Sequence, residues 1–275
     1  LLIATVGNYS KTYGQDNPLY SVSVTGFVNS ETASTASGYI APTAYTTAAL
    51  LSDVNSYTIF LTGGEADNYS FDITDTGLLT INQKTLTAVP SASNKEYSGT
   101  SATTGSISLE GIIGTDQVTA TGEFNFSDPD AGEGKTVNVT NITLSGDDAS
   151  NYSVNPVATC TADISKVTLT AVIDNYTKTY GQINPSFYVT VTGFVNTESE
   201  LTAAGYTAPT AVTTASQYSE AGLYGIMLTG GTADNYVFDI SDTAVLSITR
   251  KQLTAIPSAD DKTYDGNTGA TGTIA

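Results

Sequence analysis

The sequence predicts an all-β fold divided into small two-sheet modules repeated in tandem, and three observations predict it. The first is self-similarity: Lys11-Thr-Tyr-Gly-Gln-Asp-Asn-Pro18 returns as Lys178-Thr-Tyr-Gly-Gln-Ile-Asn-Pro185, and an offset of about 167 residues then holds without a gap. The second is alternation of period two in Tyr20-Ser-Val-Ser-Val24, Leu78-Leu-Thr-Ile81, Val137-Asn-Val-Thr-Asn-Ile-Thr-Leu144 and Phe187-Tyr-Val-Thr-Val191, with no long stretch of helical period. The third is a surface composition rich in Thr, Ser, Val and Tyr, the residues that suit a pleated sheet.

A shorter repeat sits inside the long one. The joints Ile81-Asn-Gln-Lys-Thr-Leu-Thr-Ala88, Ile164-Ser-Lys-Val-Thr-Leu-Thr-Ala171 and Ile248-Thr-Arg-Lys-Gln-Leu-Thr-Ala255 recur roughly every 80 to 85 residues. They divide the chain into modules 1–84, 85–166 and 167–251 and a partial module 252–275. Five to seven short strands in about 80 residues suit an Ig-like β-sandwich, with a β-grasp arrangement as the alternative. Each module carries a turn followed by a Tyr that opens a strand: Gly63-Gly-Glu-Ala-Asp-Asn-Tyr69, Gly146-Asp-Asp-Ala-Ser-Asn-Tyr152 and Gly230-Gly-Thr-Ala-Asp-Asn-Tyr236. A short helix is expected at Asn196-Thr-Glu-Ser-Glu-Leu201, where a polar cap precedes acidic residues, and at its counterpart near Asn29.

No Gly-Ser or Pro-rich linker separates the modules, so one module's last strand, ending near Ile81, runs through Lys84 into Leu86-Thr-Ala-Val89. Such joints limit bending, and three modules in line would span on the order of 100 Å.

Composition excludes several functions. A net charge of −18, from 9 basic and 27 acidic residues, argues against a nucleic-acid partner, since phosphate binding needs clustered Lys and Arg. Charged residues are only 13% of the chain and Tyr numbers 17, so this is no disordered acidic tail. The sequence contains no His, which removes the commonest general base and metal ligand. With one Cys, no intrachain disulfide forms, and Cys160 is expected as a buried small side chain. Apolar runs fall short of a membrane span and the first residues carry no basic signal-peptide region, so export signals or anchors are expected elsewhere.

Candidate sites each have a plain structural reading. Asp128-Pro-Asp-Ala-Gly-Glu133 offers Asp128 and Asp130 as calcium ligands, but Val139 stands where an EF-hand places its bidentate acid. Asp147-Asp148, and Asp67, Asp72 and Asp75 with their counterparts Asp234, Asp239 and Asp242, are further acidic clusters that ordinary turns explain. A glycosidase pair drawn from Asp128 and Asp130, or from Asp72 and Asp75, has no fixed separation in the sequence. Tyr13 and Tyr180 are expected to pack at module corners with their hydroxyls on backbone, rather than to serve as sugar platforms. Lys11 and Lys178 are expected to bury their stems and pair at the surface, the alternative being a Lys–Asn crosslink that intact mass would detect. The sequons at Asn8, Asn151 and Asn175 read as by-products of composition.

The Lys-Thr-Tyr-Gly-x-x-Asn-Pro opening of the first and third modules resembles the MBG domain of the YGX type. The middle module, with Lys95-Glu-Tyr-Ser-Gly99, Gly132-Glu-Gly-Lys-Thr-Val137 and Leu144-Ser-Gly-Asp-Asp-Ala-Ser-Asn-Tyr152, is similar to the YDG domain, although Ser98 replaces the motif's Asp. Lys262-Thr-Tyr-Asp-Gly-Asn-Thr268 carries the YDG signature in full. Together the two resemblances cover essentially the whole chain. They imply a segment of a very large bacterial surface or secreted adhesin, of the kind that includes the giant adhesins of gliding bacteria; no catalytic residues carry over from either domain, and no cofactor is expected beyond the candidate calcium. The expected role is a stalk or spacer at the cell surface, whose partners are neighbouring modules. The alternative is that the modules themselves bind glycans or proteins through variable loops, and 48–55 against 215–222 does differ more than the framework.

Overall fold

The computed structural model describes residues 1–275 and is all-β, with one 3-10 turn at Ala149–Asn151. It divides into two compact units, one of residues 1–95 and 100–164, the other of 96–99 and 165–275.

In the first unit, strands β1 (Leu2–Val6), β2 (Tyr9–Thr12), β3 (Val22–Thr25), β4 (Thr43–Thr46), β5 (Ser56–Thr62), β6 (Phe71–Asp72) and β7 (Thr76–Asn82) form two sheets. One runs β3-β1-β6 and the other β2-β7-β5-β4. The chain thus changes sheets between β1 and β2, and β2 closes its sheet by pairing parallel with β7. Strict alternation drives the layering: β1 buries Leu2, Ala4 and Val6, and β7 buries Gly77, Leu79 and Ile81. Ile59, Leu79 and Ile81 are almost fully enclosed between the sheets, each contributing about 1.5–3 kcal/mol by burial. The result is an Ig-like two-sheet sandwich. The β-grasp alternative fails because the strands part into two facing sheets with no crossover helix.

One residue, Gln83, separates β7 from β8 (Lys84–Ala92). The chain continues through β9 (Lys95–Glu96), β10 (Ala102–Thr103), β11 (Gly105–Glu110), β12 (Thr119–Phe126), β13 (Gly132–Ser145), β14 (Tyr152–Val154) and β15 (Ala158–Ser165). One sheet runs β11-β8-β14, and β10, β12, β13 and β15 lie in sequence in the facing sheet. Phe124, Phe126, Val137 and Val139 fill the space between. Cys160, opposite Val137 in the β13–β15 ladder, is half-exposed rather than buried as expected: it shares the inward phase of Ala162 and Ile164, but cover on that phase is incomplete over the first half of β15.

The second unit repeats the first pattern. Strands β16 (Val167–Ile173), β17 (Tyr176–Thr179), β18 (Val189–Thr192), β19 (Thr210–Thr213), β20 (Gly222–Thr229), β21 (Tyr236–Asp239) and β22 (Thr243–Thr249) form sheets β18-β16-β21 and β17-β22-β20-β19. A hairpin of β23 (Pro257–Ala259) and β24 (Gly272–Ile274) follows, with exposed side chains throughout.

The helix expected at Asn196–Leu201 is a pair of turns instead. Asn196 and Thr197 have φ of 51° and 59°, and Asn29 and Ser30 have 54° and 62°. Two successive left-handed residues reverse the chain, and no right-handed helix passes through them.

Candidate functional site

The repeated Lys-Thr-Tyr-Gly-Gln-x-Asn-Pro motif builds a corner. Lys11 is 5% exposed, and its ammonium donates to the carbonyls of Gln15 at 3.0 Å and Ala49 at 2.7 Å. Lys178 does the same to Gln182 and Ser216 at 3.1 and 2.6 Å. The expected surface pairing of Lys11 and Lys178 is therefore replaced by a buried ammonium held on backbone carbonyls, and burial pushes the Lys11 pKa down. Gln15 and Gln182 accept the N–H of Thr12 and Thr179 at 3.0 and 2.9 Å, and Asn17 and Asn184 donate to Ala48 and Ala215 at 2.7 Å. The Tyr13 and Tyr180 amides each donate at 2.9 Å to the strand that ends the same module, at Asn82 and Thr249. These bonds fix the direction in which the Tyr ring leaves the corner.

Within the first unit, Tyr13 points onto residues of the middle module. Its ring meets that of Tyr152 edge to face, centroids 5.4 Å apart at 74°, and both hydroxyls donate to one oxygen of Asp116, at 2.9 and 2.6 Å. The Tyr152 hydroxyl also accepts the Ile113 N–H at 3.0 Å. Asn151, 1% exposed, accepts the Val54 N–H at 2.8 Å and donates to Asp53 at 2.9 Å. Leu86, Val118 and Tyr152 join the same apolar cluster as Leu79 and Ile81, so the core continues through the joint.

The second unit holds a near copy. Tyr97 lies 5.5 Å from Tyr236 at 79°, and both hydroxyls donate to Glu198, at 2.6 and 2.5 Å. The Tyr236 hydroxyl accepts the Val195 N–H at 3.2 Å. Burial, reinforced by the carboxylate bond, raises the Tyr13 pKa beyond its ordinary range and pushes Tyr97 and Tyr152 up to about 12.

In both joints the acid sits on a tight turn. Asp116 N–H donates to Ile113 and Glu198 N–H to Val195, so the acid and the residue that binds the Tyr hydroxyl lie three positions apart. A glycine stands one residue after Tyr13 and two after Tyr97, where the backbone is left-handed and crowded. Gly14 has φ of +80°, and a Cβ on it would collide with Ile113 Cδ1; Gly99 has φ of +69°, and a Cβ there would collide with Asn196 Nδ2.

The structure corrects the sequence-based expectations here. Tyr13 does pack at a module corner, but its hydroxyl reaches a carboxylate rather than backbone. Tyr180, at 42% exposed, does not pack as expected. Asp116 and Glu198 are not singled out by the sequence reading at all. Their signal is an apolar residue, Asn or Gly, Ser or Thr, then an acid: Val28-Asn-Ser-Glu31, Ile113-Gly-Thr-Asp116 and Val195-Asn-Thr-Glu198.

Elsewhere the acids serve turns. Asp128, one candidate calcium ligand, is paired with the Lys135 ammonium and accepts the Asp130 N–H at 3.1 Å. That ammonium holds the Asp128 carboxyl below its usual range. No cluster of three or more acidic or sulfur side chains is placed to hold a metal ion. Asp72 caps Thr74 at 3.1 Å and Asp75 accepts the Val6 N–H at 3.0 Å, so both are tied into framework rather than facing a cleft as a pair. Asn8 and Asn175 accept the Leu78 and Val245 amides at 2.8 and 2.7 Å, which gives two sequon asparagines framework roles. The third, Asn151, is enclosed in the first unit's joint. No helix is long and apolar enough to cross a membrane.

Two-sheet modules that follow one another strand to strand, with one Tyr–Tyr–carboxylate clasp in each compact unit, define a tandem-repeat β protein. Residues 2–80 and 167–246 match the MBG domain (YGX type), and residues 82–162 match the YDG domain. The chain belongs to the MBG domain (YGX type) family, with a YDG domain between its two copies. Among solved structures it is similar to the I9–I11 tandem of titin, at 10% identity and TM-score 0.23, covering 91% of this chain and 100% of that one. It is also similar to the N-terminal eight Ig domains of the Down syndrome cell adhesion molecule, at 11% identity and TM-score 0.24, covering 95% and 44%. A third, the N-terminal four Ig domains of Dscam1, has 11% identity and TM-score 0.23, covering 90% and 74%. No curated protein matches.

Proposed function

We propose that this chain is a structural segment, a stalk or spacer, of a large bacterial cell-surface or secreted adhesin, built of modules 1–84, 85–166, 167–251 and the partial module 252–275. It works outside the cell by holding a distal binding region away from the surface, and its own residues perform no catalysis. The clasp carries this reading. A corner set at the end of one module inserts a buried Tyr into the next, so the site's chemistry is spent on joining modules. A stalk requires joints that resist bending, and a single-residue connection with a continuous apolar core supports one. An acidic surface adds mutual repulsion that discourages lateral clumping.

Small-angle scattering of the full chain tests the reading. A stalk is expected to show a maximum dimension on the order of 100 Å, retained across salt concentrations. Tyr13→Ala and Tyr97→Ala are expected to broaden the distance distribution. A folded-back particle near the size of two packed modules would overturn the proposal.

A further inference from the structure

The two MBG modules each turn the outer face of a four-stranded sheet to solvent, and what the two faces carry differs. In the first module the face is built from alternate positions of β2, β4, β5 and β7. None of its positions 10, 12, 43, 45, 56, 58, 60, 62, 76, 78, 80 and 82 bears a charged side chain, on a chain whose net charge is −18. The centre of the face is apolar. Tyr45 and Phe60 are direct cross-strand partners, 50% and 39% exposed, with ring centroids 5.7 Å apart and planes only 32° apart. Leu78, also exposed, lies diagonal to Phe60 across the β5–β7 ladder.

The third module keeps the backbone and loses the rings. At the repeat offset, Val212, Met227 and Val245 replace Tyr45, Phe60 and Leu78. Val212 opposes Met227 in the same register, so the sheet pairs without an aromatic couple at this position. Around the rings of the first module, the hydroxyls of Thr43, Thr58, Thr62 and Thr76 take no partner within the chain. Thr46, in the opposite phase of β4, instead spends its hydroxyl on the Thr58 carbonyl at 2.9 Å.

We propose that the Tyr45–Phe60 face of the first module binds a neutral polysaccharide laid across β4, β5 and β7. A sugar ring offers apolar C–H groups on its face and hydroxyls at its edge, which complements aromatic planes bordered by free threonine hydroxyls. Charge selects the class of ligand. A chain this acidic repels polyanions, and a face without acid or base gives a charged peptide nothing to pair with. Size argues against a second copy of the chain: four strands about 4.8 Å apart and at most about seven residues long cover roughly 400 Å², half the ~800 Å² per partner of a stable protein interface. The site lies on a sheet face rather than on variable loops, and it stands whether or not the chain is a stalk.

Affinity electrophoresis of the full chain through gels holding mixed-linkage β-glucan, galactomannan or xylan tests this, with alginate as the polyanionic control. Retardation is expected in at least one neutral gel and not in alginate. Tyr45→Ala and Phe60→Ala are each expected to weaken binding at least about tenfold, with circular dichroism matching wild type because both rings lie on the solvent side. Phe60→Tyr is expected to retain binding. Val212→Tyr combined with Met227→Phe is expected to add a second site in the third module and so to increase retardation, a gain that no unfolding produces. No retardation in any neutral gel, equal retardation in alginate, or retardation that survives both Ala variants overturns the proposal. So does self-association in sedimentation that Tyr45→Ala abolishes, since the face would then belong to a second copy.

Discussion

The corners at Tyr13 and Tyr180 have nearly the same sequence and the same internal hydrogen bonds, yet one ring is 4% exposed and the other 42%. The carboxylate-bound Tyr rings differ in the same way: Tyr152 and Tyr236, each met by an inserted Tyr, are enclosed, and Tyr69 is half-buried. The corner is thus assembled by its own module, and burial of the Tyr is contributed by the neighbour. Shared local bonding and variable burial separate what holds a module together from what holds two modules to each other.

The largest expected effect comes from removing an enclosed ring. Tyr152→Ala is expected to lower the stability of the first unit by about 3–5 kcal/mol in urea denaturation, the range for a buried aromatic. Tyr180→Ala is expected to leave the midpoint within error of wild type. Equal losses at the two positions would break the comparison. Next in size is the carboxylate: Asp116→Ala leaves two Tyr hydroxyls without an acceptor and is expected to cost about 2–3 kcal/mol. Asp128→Ala, an acid in an exposed turn, is expected to cost far less by the same measurement.

Alkali sharpens the contrast through a different property. The folded clasp favours the neutral phenol, so folded pKa values are raised above those of the unfolded chain for Tyr13, Tyr97 and Tyr152. Their contribution is fully present below about pH 10 and is lost as pH rises through about 12. Stability measured across that window is expected to fall, and Tyr152→Phe is expected to flatten the fall. The smallest effect separates backbone strain from docking. Gly14→Ala adds a contact with Ile113 to the strain of a left-handed φ, whereas Gly181→Ala meets only the strain, about 1 kcal/mol. Gly14→Ala is expected to cost more than Gly181→Ala by calorimetry.

The fold is legible in the sequence because strand alternation is local: residues two apart already state which face is buried, as β1 and β7 do. The inserting Tyr is legible because its motif repeats. Its partner is not, since Asp116 lies 103 residues from Tyr13 and Glu198 lies 101 from Tyr97, and nothing local ties an acid in one loop to a ring in the preceding module. The same loop misleads the helix reading, because Asn196-Thr-Glu198 offers a cap followed by acid, while its left-handed pair builds the turn that presents Glu198. Lys11 is misread for a related reason: its carbonyl acceptor at Ala49 is 38 residues away.

The central claim is that adjoining modules are energetically coupled through the clasp, and a double-mutant cycle on Tyr13→Phe and Asp116→Asn measures that coupling. The expected interaction energy is about 1–3 kcal/mol, the range for contacting residues in one hydrogen-bond network. Additive losses, with an interaction energy indistinguishable from zero, would contradict it.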